Sequence, residues 1–318
     1  MTRGRHPVPE DQMPRFAGRG TFMKLPFYDP GHPSDIVILG VPFDGGTTFM
    51  PGTRAGPQAI RQASSTLYPF HSGYRFHLTE RLSTSDGGDV FVDPINVGRT
   101  LDLIGEALAR VPRQSKVVLL GGDHTITLAS LRALKKRYGE LSLVHLDAHP
   151  DLWDELWGEK YNHATVFRRA FEERLFNPAT SIQVGCRGGF DHAHEDEIAR
   201  ELALTQIRTE EWFLRRSTEV AGLISRTTRG NPVYLSFDVD VVDPAFAPGT
   251  GTPEVGGPSS QMVLELLRHL KVNLVGADVV EVSPVLDHSN ITALLGATVV
   301  YEILFLFADK SGNLVGAT

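Results

Sequence analysis

The chain is almost without cysteine: among its 318 residues Cys186 stands alone. A single thiol excludes an intramolecular disulfide framework and fits a reducing compartment. An excess of positive charge is also missing. Thirty-one Lys and Arg face 38 Asp and Glu, giving a formal net charge of −7, and no basic stripe carries interleaved aromatics. That balance gives no support to nucleic-acid binding. No apolar run reaches the ~18–20 residues of a membrane span. The opening Met1-Thr2-Arg3-Gly4-Arg5-His6-Pro7 lacks the apolar core of a secretory signal, so a cytoplasmic protein is expected. Gly45-Gly46 has no Lys-Ser/Thr behind it, which argues against a phosphate-binding loop.

What is present is an ordinary globular composition, 41% hydrophobic and 22% charged. Residues 1–33, rich in Pro, Gly and charge, read as an N-terminal arm rather than a packed unit. Short apolar runs follow at 35–41, 116–120, 142–146, 181–184, 233–237 and 274–280. Helix-period stretches lie between them at 101–109, 126–136, 209–217 and 261–270, and Gly56-Pro57 opens another with Pro in its first turn. Buried strands alternating with helices predict a parallel sheet covered on both faces. With no composition break after residue 34, residues 34–318 are expected to form one domain.

Function in such sheets sits at the carboxyl ends of the strands. Four segments there carry metal-type donors: Gly121-Gly122-Asp123-His124; Asp147, His149 and Asp151; Asp238 and Asp240; and Glu281. Positions i and i+2 of an extended segment project to one side, so Asp147 with His149, and Asp238 with Asp240, can each reach one centre. Taken singly, each segment is equally a helix cap or a turn. Gathered carboxylates, however, stay ionised together only beside strong positive charge, and no Lys or Arg lies in register with them. Two divalent ions supply that charge. Oxygen-rich ligation with two imidazoles suits Mn²⁺, and Ni²⁺, Co²⁺ or Zn²⁺ would also bind.

These segments, with Gly-Val-Pro-Phe-Asp-Gly-Gly-Thr at 40–47, Pro-Gly-Thr-Arg-Ala-Gly-Pro at 51–57 and Gly-Thr-Gly-Thr-Pro at 249–253, resemble the ureohydrolases, in particular the agmatinase-like branch. The resemblance runs from about residue 20 to the end and implies a three-layer α/β/α sandwich with a mainly parallel eight-stranded sheet. It implies hydrolysis of a guanidino compound to urea and an amine at two Mn²⁺ per subunit, with Ni²⁺ as the other candidate. It also implies a homotrimer or homohexamer. One ion would be held by His124, Asp147, Asp151 and Asp238, the other by His149, Asp147, Asp238 and Asp240. Asp151 would orient the attacking hydroxide, His163 would shuttle protons, and Glu281 would pair with the guanidinium. Trp153 and Asn162 are expected to join Glu281 in binding substrate.

The chain departs from the agmatinase pattern at Asn162-His163-Ala164-Thr165, where Ser-His-Gly-Thr is usual, so His163 is expected to sit differently. Leu152, Trp153 and Trp157 are bulky for a region that lines the substrate tail. They predict a short or alkyl tail: guanidine, an N-alkylguanidine or guanidinobutyrate. Two further readings stand beside this one, a one-zinc deacetylase-type amide hydrolase and a non-catalytic subunit of the same fold; the complete six-donor set argues against both. His145 is read as a packed imidazole behind the donors, Asp123 and Asp243 as turn caps, and His192, His194 and His288 as solvated loop residues. Cys186 is expected to be buried and unreactive.

Overall fold

The computed structural model describes residues 13–189 and 193–309, with the backbone alone over 193–196. His192 and the side chain of His194 lie outside the described residues. In chain order the elements are β1 (Ile36–Gly40), α1 (Gly56–Ser64), β2 (Phe70–His71), β3 (Phe76–His77), α2 (Leu78–Arg81), β4 (Thr84–Asp89) and α3 (Val97–Arg110). The central part contributes β5 (Lys116–Leu120), α4 (Thr127–Tyr138), β6 (Ser142–Leu146), α5 (Val166–Glu172), β7 (Ile182–Val184), α6 (Ala193–Glu201) and β8 (Thr205–Ile207). The chain continues through α7 (Thr209–Phe213), α8 (Ser217–Thr228), β9 (Pro232–Asp238), α9 (Ser260–Arg268), β10 (Asn273–Val280) and α10 (Ile291–Ala308).

Eight strands form one sheet in the order β4-β1-β5-β10-β9-β6-β7-β8, every neighbouring pair parallel, and β2 pairs with β3 in a separate hairpin. Parallel strands need covering on both faces, which is why their sequences are continuously apolar. β1 shows how each face is served. Ile36 and Ile38 enter the core with α1, α8, α9 and α10, whereas Val37 and Leu39 enter the core with α3 and α4. The result is the expected three-layer sandwich.

Several elements differ from the sequence expectation. Residues 21–25 do not behave as an arm: Phe22, Met23 and Leu25 are buried, and the Phe22 N–H donates to the buried Asp86 carboxylate at 2.7 Å. The helix expected over 209–217 breaks into α7 and α8, because Arg216 is extended and its N–H is capped by Glu219. β4 has no apolar run to announce it; Asp86 within it is paired with the buried Arg61. α10 exceeds the expectation that no apolar run approaches the length of a membrane span: its 18 residues have a mean hydropathy of 2.1. That helix is 72% buried, as a core helix is, and its Glu302 is matched by Arg268 and His71.

Candidate metal centre and its cavity

The four donor segments leave four adjacent strands, β5, β10, β9 and β6, at the same edge of the sheet. Register brings the acids together. Leu146 pairs with Phe237, so the next residues, Asp147 and Asp238, leave the sheet side by side, and Val280 pairs with Asp238 ahead of Glu281. Asp151 (φ 51°) and Glu281 (φ 64°) both adopt the left-handed backbone that non-glycine residues avoid, a form of strain that collects at functional sites.

His124 Nδ1 faces three carboxylate oxygens at nearly equal range: Asp147 Oδ2 and Asp151 Oδ2 at 3.1 Å each, and Asp238 Oδ2 at 3.2 Å. His149 Nδ1 faces Asp240 Oδ2 at 3.0 Å and Asp147 Oδ1 at 3.5 Å. Asp147 therefore offers one oxygen to each imidazole. Donors that share one ion with bonds of ~2.1 Å at right angles stand about 3 Å apart, so both groupings fit a cation. His124 Nδ1 is also buried and makes no hydrogen bond. Three carboxylate oxygens converging on a nitrogen that makes no hydrogen bond fit a cation held among them.

The ring behind it is fixed by a chain of hydrogen bonds. His124 Nε2 meets Ser236 Oγ at 2.8 Å, and Ser236 Oγ donates to Asp278 Oδ1 at 2.7 Å. Thr127 and Tyr234 hydroxyls donate to the other oxygen of Asp278. Since Ser236 has one proton and gives it to Asp278, the neutral His124 ring carries its hydrogen on Nε2 and its lone pair on Nδ1. His145 is buried against Phe167, with ring centroids 4.1 Å apart. Gln183 donates to its Nδ1, so its Nε2–H donates to Asp147 Oδ2 at 2.7 Å. The expectation of a packed supporting imidazole holds.

With protein groups alone, the cluster is electrostatically frustrated. Burial and repulsion from Asp240 and Asp147 push Asp238 well above the usual carboxylate range. Burial and Asp147 raise Asp240 to about 6. Burial works against charge on His124 and His149, but the facing carboxylates raise both well above an ordinary imidazole. Asp147, although buried, is held down by His145, His124 and His149. Divalent cations would relieve each of these conflicts.

A cavity of about 240 Å³ opens over the cluster, lined by His149, Asp151, Asp238 and Asp240 at its floor and by Pro150, Trp153, Leu156, Trp157 and Ala164 at its walls. Thr48, His163, Arg187, Gly189 and Thr252 complete the lining. His163 Nδ1 binds Glu281 Oε1 at 3.0 Å, and the same oxygen accepts the His124 N–H at 2.8 Å. Glu281 Oε2 is buried without a partner. Burial opposes the charge on His163, but Glu281 outweighs it and raises the imidazole to about 9. The turn that carries this ring is capped by Asn162, which accepts the Ala164 N–H at 3.1 Å and gives its own amide to Glu159 O. Asn162 therefore spends both side-chain groups on the turn and does not line the cavity.

Leu152 also departs from expectation. It is 1% exposed and turns into the core with Val166 and Phe167, while Leu156 takes the cavity wall. Trp157 stands 80% exposed at the rim. Asp123 and Asp243 accept backbone N–H groups in turns, as expected, and burial raises Asp123 to about 7. His288 is exposed. Cys186 is buried, and burial pushes its thiol up, away from reactivity. The sequence reading missed Thr48, Gln183 and Asp278. Asp278 had a signal, a lone charge inside the apolar run of β10; Thr48 and Gln183 had none.

A family model described as arginase matches residues 34–306. The chain is 43% identical to a guanidinopropionase from Pseudomonas aeruginosa, with 97% of this chain and 98% of that protein covered. It is 40% identical to an agmatinase from Shigella sonnei, covering 92% of this chain and 94% of the relative. The solved structure of proclavaminate amidinohydrolase from Streptomyces clavuligerus superposes with a TM-score of 0.89 at 38% identity, covering 93% of this chain and 99% of that one.

Proposed function

The chain belongs to the arginase family, and from that premise we propose that it is a two-metal hydrolase splitting a guanidino compound into urea and an amine. The observation that carries this reading is Asp147, which turns one oxygen to His124 and the other to His149. His124, Asp147, Asp151 and Asp238 would hold one ion, and His149, Asp147, Asp238 and Asp240 the other. The oxygen-rich donor set favours Mn²⁺, with Ni²⁺ next. When bound, the metal pair makes hydroxide available near neutral pH.

The protein's own groups then divide the work. Asp151, at the cavity floor, accepts a hydrogen bond from the attacking water and orients it. Glu281 is not among the cavity-lining residues; its Oε2, buried beneath them without a protein partner, would accept from the N–H groups of the guanidinium, which match a carboxylate in charge and geometry. Water adds to the guanidino carbon, the bond to the departing nitrogen breaks, and His163 supplies the proton that makes it an amine.

Beyond the floor, the walls are apolar. Arg187, the only Lys or Arg among the described lining residues, has its N–H groups taken by the carbonyls of Val255, Gly185, Val241, Asp240 and Glu254. A carboxylate tail such as guanidinopropionate's, or an ammonium tail such as agmatine's, would meet Trp153, Leu156 and Trp157 without a charged partner among the described lining residues. The substrate reading is therefore a guanidine with a short or alkyl tail. Urea release from the Mn²⁺- and Ni²⁺-reconstituted protein, compared across guanidine, methylguanidine, guanidinopropionate, guanidinobutyrate and agmatine, tests it. Preference for the first two is expected, and a clear agmatine preference would refute the tail assignment while leaving the hydrolase.

A homo-oligomer, trimeric or hexameric, working in the cytoplasm completes the proposal. The single buried thiol supports the location, and exposed Phe49, Phe91, Ile95 and Leu214 support burial against further subunits.

A further inference from the structure

His163 has no nitrogen left over. Nδ1 is held by Glu281, and Nε2 meets Thr48 twice, at 2.6 Å from the hydroxyl oxygen and at 3.1 Å from the backbone nitrogen. Thr48 lies on the loop after β1, 115 residues from His163 in sequence, and its hydroxyl is half-buried in the cavity wall. The loop is tied to the histidine a second time, since the His163 N–H donates to Gly46 O at 3.1 Å.

These two contacts suit the two charge states of the ring differently. An imidazolium donates Nε2–H to the Thr48 hydroxyl oxygen, which leaves the hydroxyl proton free to point into the cavity. A neutral ring with its proton on Nδ1 has a lone pair on Nε2, which accepts the Thr48 N–H. A hydroxyl both donates and accepts, so it can pass a proton on while keeping its own bonds satisfied.

We propose that Thr48 is a catalytic residue that carries the proton from His163 to the departing amine. In the step, Nε2–H passes to Thr48 Oγ while the hydroxyl proton passes to the leaving nitrogen. The carbon–nitrogen bond breaks as that nitrogen–hydrogen bond forms. The ring ends neutral, with Nδ1–H donated to Glu281 and its Nε2 lone pair accepting the Thr48 N–H. This rests on the reading of His163 as the proton donor.

The test compares Thr48→Ser, Thr48→Val and His163→Asn in the metal-loaded enzyme, using whichever guanidino substrate the parent turns over fastest. Thr48→Ser keeps the hydroxyl and should hold kcat within about threefold, whereas Thr48→Val should lose on the order of 10²-fold in kcat with KM and metal content little changed. The Val deficit should shrink for a substrate whose leaving amine is weakly basic, a trend that a merely structural lesion would not produce. If Val cannot be made soluble, Thr48→Ala carries the same expectation. Parental kcat in Thr48→Val or Thr48→Ala, beside an inactive His163→Asn, overturns the Thr48 step alone. An active His163→Asn removes the underlying reading instead.

Discussion

His124 can bind a cation only through the nitrogen that Ser236 leaves bare, and that choice is made two bonds away, at Asp278. Removing the hydroxyl in Ser236→Ala strands a buried Nε2–H and frees the ring to take its other tautomer, with a proton where the metal should be. The expected outcome is a loss of about 10–100-fold in affinity for one of the two ions, the other being retained. Competition titration with a chelator, read as two separate steps, checks it; equal weakening of both ions would point to general damage. The donors themselves were legible in the sequence because each stands at the end of an apolar run. Ser236 lies unremarked inside the apolar run at 233–237, and its role appears once β9 and β10 place it between His124 and Asp278. Asn162 misled for the converse reason. Its neighbour His163 faces the cavity, but a capping side chain on such a turn is spent on backbone groups.

At the scale of elements, the centre depends on how closely the loops after β1 and β5 approach each other. The Val41 and Phe43 carbonyls close over Gly122, where an added Cβ would lie 2.0 Å from Phe43 O and 2.7 Å from Val41 O. Neither obstacle is a flexible side chain, so Gly122→Ala must move backbone that also carries Asp123 and His124. A destabilisation of about 1–3 kcal/mol is expected, with reduced metal occupancy at the His124 side. Thermal melts of the chelated and loaded forms measure both parts, and an unchanged Tm would contradict the packing argument. The six apolar strands could be read directly, being buried on both faces. β4 could not, since its Asp86 is buried through Arg61 and its register follows from pairing with β1. The split between α7 and α8 was hidden as well, because helical periodicity continues across a break that a capping interaction makes.

For the whole molecule, the acid cluster ties folding to protons and metal together. Asp240, at about 6, and Asp123, at about 7, hold protons that an unfolded carboxylate near 3.8 has already released. Asp238 is raised in the same direction, and His124, His149 and His163 keep protons that an unfolded imidazole loses around 6.5. Between pH 5.5 and 7.5 the folded chelated protein therefore binds more protons than the unfolded chain, and its stability should fall as pH rises. Asp147 is held low and contributes only at more acid pH. Bound metal replaces those protons, so the loaded protein should gain stability over the same interval. Tm profiles of the two forms are expected to slope in opposite directions, and parallel slopes would mean that the ions bind elsewhere.

The most direct measurement is anomalous diffraction at the metal absorption edge from crystals loaded with Mn²⁺. Two peaks per subunit bridged by the Asp147 carboxylate, one beside His124 Nδ1 and one beside His149 Nδ1, are the predicted result. A single peak, or density away from Asp147, would contradict the account.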